Sequence, residues 1–370
     1  MATTYHAEHV GSLLRPPSLL QAREAHEKGE LTTAQLREAE DRAIEENLAI
    51  QQQAGLTVFT DGEARRESWR AGLMESLGGV EPASRTLRWY RDGRELTPEE
   101  TLSDGAVAVA AVSRKQDLTG TEASFMARHS PGTFKITMIS ASMGGMIWDP
   151  QRSSAVYPAP NDLIRDLVAL QIEEIGSLVR QHGVRWVQLD SLSYNQVIDP
   201  AATGRTRAAL NPEQALDAAI TVDAAVVTAV KREHQDLTVG MHICRGNYRS
   251  SWMAQGGYEP VAERLFNEVP VDRFLLEYDT ERAGGFEPLR FVPKGPTVVL
   301  GLVTTKVPQL EDRDILLRRI DEAARYLPLG QLALSPQCGF ASGSLGNLIT
   351  VDDERRKLDL VVSVARQVWG

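Results

Sequence analysis

Short apolar segments rich in β-branched residues alternate with longer helical patterns along almost the whole chain, and this alternation constrains the fold most strongly. Eight strands separated by helices predict an α/β fold, a (β/α)8 TIM barrel, and favour it over an open doubly wound sheet. No GxGxxG motif follows an early strand, which argues against a dinucleotide-binding sheet. The predicted strands are 5–12, 56–62, 134–140, 185–191, 237–244, 273–279, 297–303 and 331–338, and the clearest helices are 161–183 (capped by Asn161), 211–234, 310–327 and 351–369.

Residues 80–130 interrupt this alternation. The segment RTLRWYRDGRELT predicts a hairpin that turns at Asp92-Gly93, and the stretch around 106–115 has a helical character. We expect 80–130 to form an insertion after the second strand, within a single domain that covers 1–370. It would lie over the barrel mouth or form a contact in a homo-oligomer.

Charge and apolar patterning exclude two classes of partner. The chain has 40 basic and 50 acidic residues, and a net charge of −10 argues against a nucleic-acid-binding surface. The N-terminal residues lack the apolar segment of a signal peptide, and the apolar stretch 218–230 is too short to span a bilayer. Two cysteines cannot form a disulfide framework, so we expect a reducing, cytoplasmic location.

Both cysteines fall at the end of a predicted strand, where a barrel places its catalytic groups. His242 and Cys244 are two positions apart at one strand end, so their side chains share a face. Cys338 ends the eighth strand, and Glu277 closes the sixth, where a carboxylate needs a partner. Imidazole, thiolate and carboxylate are ligands of Zn²⁺. The alternative is a chance HxC pair with buried, inert cysteines. The coincidence of both cysteines with strand ends favours the metal.

The sequence resembles the cobalamin-independent methionine synthase family, in particular the short relatives that consist of its C-terminal catalytic barrel alone. The similar motifs run along almost the whole chain: HVGSLLRP, TDGEARRESW, VQLDSLSY, and then MHICRGN, LLEYDTERAG and LSPQCGF. The resemblance implies a zinc-dependent methyltransferase that passes a methyl group to homocysteine. It also implies four zinc ligands, which are His242, Cys244, Glu277 and Cys338.

The resemblance also implies a site for the thiol substrate. Ser12, Glu63 and Asp190 correspond to positions that hold the amino-acid part of homocysteine, and two carboxylates suit its ammonium group. Arg245 and Asn247 follow the zinc motif and are candidate anchors for a carboxylate, phosphate or sulfonate. Helix capping, ion pairing and loop solvation are the alternative roles of these side chains.

The segment after the seventh strand departs from the family. Full-length synthases carry a histidine there that is thought to protonate the leaving pterin, whereas this chain has Thr304, Thr305 and Lys306. Lys306 is the candidate acid if burial lowers its pKa. The methyl donor is therefore open between methyltetrahydrofolate, methylcobalamin and other activated compounds. Trp148 and Tyr194 would stack on a flat donor or pack the barrel rim.

Three other functions compete with homocysteine methylation. An enzyme resembling the epoxyalkane:coenzyme M transferases would alkylate coenzyme M and bind its sulfonate through Arg245, but Glu63 and Asp190 would repel that anion. A purely structural zinc site usually has four Cys or His ligands, and Glu277 argues against it. A metal-free lyase or aldolase with Lys306 as a Schiff base leaves the three metal motifs unexplained.

Overall fold

The computed structural model describes residues 5–68, 76–84, 87–101, 105–199 and 211–370. Strands alternate with helices over most of this length. The strands are β1 Val58–Phe59, β2 Leu77–Pro82, β3 Tyr90–Arg91, β4 Arg94–Glu95, β5 Ala106–Arg114, β6 Thr133–Phe134, β7 Ile136–Ile139, β8 Trp186–Ser191, β9 Thr238–Ile243, β10 Arg273–Glu277, β11 Thr297–Val303 and β12 Leu332–Pro336. The helices are α1 Pro17–Glu27, α2 Thr33–Ala54, α3 Gly120–His129, α4 Pro160–His182, α5 Asn195–Ile198, α6 Pro212–Glu233, α7 Glu259–Glu268, α8 Arg313–Ala323 and α9 Val351–Trp369.

Parallel strands form a closed circle. Strands β7 to β12 pair in sequence order, and β1 pairs in parallel with β6. Lys135 joins β6 to β7, and its N–H donates to Phe59 O at 2.9 Å. The N-terminal segment closes the ring, because Ala7 forms a parallel bridge to Leu334 of β12 while Gly11 O accepts a bond from Thr60. The predicted (β/α)8 barrel is confirmed, with its first strand reduced to this one bridge.

A cluster of charged groups fills part of the barrel interior. Glu8 is fully buried, and its carboxylate accepts bonds from Lys135 Nζ at 2.9 Å and Arg273 Nε at 2.8 Å. Lys135 also donates to the side chain of Gln188 at 2.7 Å. Buried charges are tolerated in a core when they are paired and hydrogen-bonded in this way.

The helix ends follow simple capping rules. Asn211, the first residue of the predicted helix 211–234, caps α6 and is followed by Pro212 at the first helical position. The predicted cap at Asn161 is wrong: α4 begins one residue earlier at Pro160, whose missing N–H costs nothing at a first helical position. In the described part of the chain no helix combines the length and apolarity needed to cross a membrane.

The described parts of the segment between β1 and β6 include two small antiparallel pairings, β2 with β5 and β3 with β4. Its β3–β4 hairpin turns at Asp92-Gly93 as predicted. The helical character predicted around 106–115 is wrong, because this stretch is β5, which pairs antiparallel with β2 and thereby overrides its weak local preference. Tyr90 exchanges two backbone hydrogen bonds with Trp252, in the loop after β9. The division into one domain and the oligomer contact stay predictions.

Candidate metal centre

Three of the predicted ligands meet at the C-terminal end of the barrel strands. His242 lies near the end of β9, Cys244 directly follows β9, and Cys338 follows β12. Their ligand atoms all lie within 4.8 Å of one another, and all three residues are buried. The two sulfur atoms are 3.3 Å apart, and both cysteines are free thiols. The fold therefore brings the two motifs together, although 94 residues separate the cysteines.

The orientation of His242 is that of a metal ligand. Its Nδ1 lies 3.2 Å from Leu275 O, so this nitrogen carries the proton and donates it to the carbonyl. Its Nε2 is buried and has no hydrogen-bond partner among the described residues. Metal-binding histidines are commonly fixed in this way, with one nitrogen bonded to the protein and the other free for the metal.

The donor set of the cluster fits a divalent, borderline-soft cation. The hydrogen bond that the Cys244 thiol shares with Cys338, together with burial, raises the pKa of Cys244 well above its usual range, so this thiol resists ionisation. A bound cation would favour the ionised thiol, since metals bind thiolates and release their protons. In a tetrahedral site with Zn–S bonds of ~2.3 Å, two sulfurs lie about 3.8 Å apart, so a small separation of the two thiols from their present 3.3 Å would admit the ion. One imidazole and two thiolates thus match Zn²⁺.

Glu277, the fourth predicted ligand, lies beside this cluster but is bonded to the protein. Its carboxylate accepts from Arg282 Nη2 at 2.5 Å and from the Arg245 N–H at 3.0 Å. Burial would raise the pKa of Glu277, but Arg282, Lys306 and Arg245 outweigh it and hold this pKa below its usual range. The carboxylate is therefore a permanent anion at the edge of the cluster, and its role as a ligand stays a prediction.

Two further carboxylates lie at the same mouth. Asp190 is the direct neighbour of His242 in the β8–β9 pairing, and its Oδ1 accepts from Gln188 at 2.8 Å. Burial, together with the charge of Glu63 and against the influence of His242, raises the pKa of Asp190 to about 6. Glu63 accepts a bond from Thr137 at 2.8 Å, and its second oxygen is buried without a described hydrogen-bond partner.

The backbone at Glu63 is strained. Its φ is 55°, and that of Gly62 is 70°, so two consecutive residues are left-handed. A β-carbon at Gly62 would lie 2.1 Å from the Asn47 side chain, which explains the glycine. For a glutamate this conformation costs roughly 1–2 kcal/mol, and such strain is concentrated at functional sites. The Glu63 carboxylate lies next to Gly11, where a β-carbon would be 2.9 Å from its Oε1.

The remaining predicted thiol-site residues are distributed around the Cys338 loop. Ser12 Oγ accepts from the Ala341 N–H at 3.3 Å, and Gly339 packs so closely on Ser12 that a β-carbon would lie 2.0 Å from that oxygen. Asn247 donates to Gly339 O at 2.8 Å and accepts from Lys306 Nζ at 3.3 Å. The side chains of Ser12 and Asn247 therefore support the loop that carries Cys338.

Other predicted residues lie away from the cluster. The Arg245 guanidinium is fully buried, stacks over Tyr258 at 4.2 Å and donates to Gly256 O at 3.0 Å. Tyr194 is also fully buried and donates to Asp223 at 2.6 Å, whereas Trp148 donates to Tyr157 O at 2.9 Å. Within the described residues the Arg245 Nη1 is buried without a hydrogen-bond partner. The anion-binding and donor-stacking roles of these residues stay predictions.

A cavity of about 520 Å³ opens next to the centre. It lies between the insertion, the end of β7, helix α4 and the loops that carry Asn247 and Ser342. Ser342 lines the cavity and its Oγ is 4.0 Å from Cys338 Sγ, so one side chain lies between the cavity and this candidate ligand. Its lining is mostly apolar and includes Leu77, Trp89, Met138, Met143 and Met146. This size and character are typical of a pocket for a small organic molecule.

Sequence reasoning missed the residues that hold the site carboxylates. Arg282 binds Glu277, Gln188 binds Asp190, and Thr137 binds Glu63. The signal for Gln188 and Thr137 was present, because each is a polar residue within a buried strand. Arg282 follows Glu277 by five residues in a loop, where spacing predicts no contact.

Fold and cluster together define the class of protein: a (β/α)8 barrel with a candidate thiolate–imidazole metal centre at its mouth. The family model "Cobalamin-independent synthase, Catalytic domain" matches residues 1–367. The chain therefore belongs to the cobalamin-independent methionine synthase family, which is a family of methyltransferases.

Relatives from bacteria and archaea agree with this assignment. "Uncharacterized protein YxjH" of Bacillus subtilis is 36% identical over 375 residues, which cover 99% of this chain and 95% of that protein. The methionine synthase of Pyrococcus abyssi is 22% identical, over 89% of this chain and 84% of its own. The structure of a B12-independent methionine synthase from Shewanella sp. W3-18-1 has the same fold, with a TM-score of 0.73, 18% identity and coverage of 99% and 98%.

Proposed function

We propose that this protein is a zinc-dependent thiol S-methyltransferase that transfers a methyl group to homocysteine. One observation carries the proposal: a buried His–Cys–Cys cluster stands directly beside a buried carboxylate, because His242 pairs with Asp190 across β8 and β9. A thiol bound at the cluster would bring an amino group on the same molecule to Asp190. Homocysteine carries both groups.

The chain's own residues would divide the work. His242, Cys244 and Cys338 would hold the Zn²⁺, with Glu277 beside them. When bound, this ion would supply the positive charge that keeps the substrate sulfur in its nucleophilic thiolate form. Asp190 would bind the substrate ammonium by a charge-assisted hydrogen bond. The buried setting excludes water and so strengthens that bond.

The electrostatics favour an amino-acid thiol over coenzyme M. A sulfonate in place of the amino acid would face the carboxylates of Glu63 and Asp190, whose mutual repulsion already contributes to the raised pKa of Asp190. The guanidinium proposed to bind a sulfonate, that of Arg245, is stacked on Tyr258. Two adjacent free thiols are also suited to a reducing compartment, and we place the enzyme in the cytoplasm.

The methyl donor would occupy the apolar cavity beside Ser342. Lys306 Nζ donates to Asn247 Oδ1 at 3.3 Å, and Asn247 lines the cavity. Lys306 is therefore the candidate acid for the departing group. A cavity of about 520 Å³ admits one part of a large donor, so the remainder would rest on the insertion.

The test combines metal analysis with product analysis. Purified protein should contain close to one zinc per chain and form methionine from homocysteine with at least one of two donors, methylcobalamin or methyltetrahydrofolate. The variant His242→Ala should lose zinc and activity together. A parallel assay offers coenzyme M with an epoxide. Alkylation of coenzyme M without methylation of homocysteine, or protein that binds no metal, would refute the proposal.

A further inference from the structure

Arg282 has more bonds to the protein than an ordinary loop arginine. Its guanidinium binds the carboxylates of Glu277 and Asp279 at 2.5 and 3.5 Å. It also donates to Ala254 O at 3.2 Å and lies 5.1 Å from the ring of Trp252. Only 11% of the side chain is exposed. Arg282 is therefore fixed from several sides, and its position is set by the fold.

The partner of this arginine is next to the candidate metal ligands. In the β9–β10 pairing Leu276 lies opposite Ile243, so the backbone of Glu277 is level with Cys244. Among the described residues the ligand atoms that converge are those of His242, Cys244 and Cys338, and the Glu277 carboxylate is not one of them. Its oxygens are bound to Arg282 and to the Arg245 N–H instead.

We propose that Arg282 is a positioning residue: it holds the Glu277 carboxylate beside the cluster and thereby sets how tightly the metal binds and how readily a thiol reaches it. This inference rests on the proposed metal-dependent function. A buried carboxylate needs a cationic partner. Within the described residues Arg282 is the side chain that donates a hydrogen bond to the Glu277 carboxylate, so Arg282 and a metal would compete for it. Because Arg282 stabilises the position away from the metal, it weakens metal binding and leaves one coordination position for the substrate sulfur.

Replacing Arg282 would change this competition in a defined direction. In Arg282→Met, the Glu277 carboxylate keeps the hydrogen bond from the Arg245 N–H and loses the one from Arg282, so it is expected to bind the metal more strongly. Groups that hold metal ligands in place change metal affinity by about 10–100-fold. We expect zinc to bind at least ~10-fold more tightly, and homocysteine to bind at least ~10-fold more weakly, because the thiol must now displace Glu277.

The experiment measures zinc affinity by competition with a chelator, and homocysteine binding to the zinc-loaded protein by calorimetry. Arg282→Lys keeps the charge but not the fork geometry, so intermediate values are expected. Arg264→Met is the matched control, because Arg264 also pairs with two carboxylates but lies on the surface. The zinc affinity and the homocysteine affinity of Arg264→Met should equal those of the wild type.

Zinc affinity that is unchanged or lower in folded Arg282→Met would overturn the inference, as would unchanged homocysteine affinity. Folding is checked by circular dichroism, and if Arg282→Met does not fold, the same criteria apply to Arg282→Lys. If the proposed function itself is wrong, the wild-type protein will bind no zinc or no homocysteine, which distinguishes that outcome from failure of the inference about Arg282.

Discussion

Asp190→Asn is the sharpest test of how the substrate is bound. The substitution removes one charge and keeps the shape of the side chain, including an oxygen that can accept the Gln188 bond. Asp190 is only 8% exposed, so its bond to an ammonium group would form in a region of low dielectric constant. A hydrogen bond to a charged group contributes about 1.5–3 kcal/mol, which corresponds to a 10- to 150-fold loss of homocysteine affinity.

The assay is calorimetric titration of zinc-loaded protein with homocysteine at pH 8. This pH lies above the raised pKa of Asp190, about 6, so the wild-type carboxyl group is ionised. A second titration uses 4-mercaptobutanoate, which is homocysteine without its amino group. The affinity of Asp190→Asn for this analogue should stay within about twofold of the wild-type affinity. Asp199→Asn is the control, since Asp199 is also buried but bonds to Gln255 outside the centre.

Two results would refute this reasoning. Unchanged homocysteine affinity would mean that the ammonium group lies elsewhere. An equal loss for homocysteine and 4-mercaptobutanoate would mean that Asp190 acts on His242 and the metal and not on the amino group. The zinc content of the variant, measured on the same sample, separates the second case from simple metal loss.

Four further predictions concern the metal, the core and the donor. Cys338→Ser should lose most of its zinc by elemental analysis while far-UV circular dichroism stays unchanged; full retention of zinc would contradict the ligand assignment. Lys135→Met should lower the free energy of unfolding in urea by about 3–5 kcal/mol, because it removes one partner of the buried Glu8; a loss below 1 kcal/mol would contradict this. Burial raises the pKa of Glu354 to about 8, so the folded protein keeps a proton that the unfolded chain releases above about 4.5. Between these two pH values the free energy of unfolding of the wild type should fall by up to ~1.4 kcal/mol per pH unit relative to that of Glu354→Gln. Parallel pH profiles of the two proteins would refute the shift. Methyl transfer to homocysteine should be faster from methylcobalamin or a sulfonium donor than from methyltetrahydrofolate. Lys306 stands in place of the family's histidine, and a positioned acid raises the rate of such a step by about 10²–10⁴-fold. A side-by-side rate comparison in which methyltetrahydrofolate is the fastest donor would contradict this.

The alternation of strands and helices was sufficient to predict the barrel, but not its irregular parts. Strands β8 to β12 have side chains that are buried almost throughout, and their apolar runs are plain in the sequence. The first strand is reduced to a bridge at Ala7, and the next two residues, Glu8 and His9, are polar and buried, so this strand has no apolar run that the sequence could reveal. Strand β5 reads AVAVAAVSR, and its alanines and valines leave the choice between helix and strand to its pairing with β2.

The candidate centre was predictable where ligands sit on strands and not where they depend on loops. His242 and Cys244 lie at a strand end, so their common face follows from the two-residue period. The carboxylate direction of Glu277 depends on Arg282, and the burial of Arg245 depends on Tyr258, which follows it by 13 residues. These contacts are set by the course of two loops, which local sequence patterns do not determine.

The charges at the barrel mouth indicate which chemical group of a substrate would bind there. The Glu277 carboxylate is matched by Arg282, and that of Glu63 lies 3.7 Å from the Arg66 guanidinium. Asp190 has no ion pair within the described ranges, and burial raises its pKa to about 6. A buried carboxylate without a counter-ion is stabilised by whatever cation binds next to it. An ammonium group meets that need, whereas a sulfonate would increase the repulsion. The imbalance at Asp190 is therefore the physical reason to expect an amino-acid thiol at this centre.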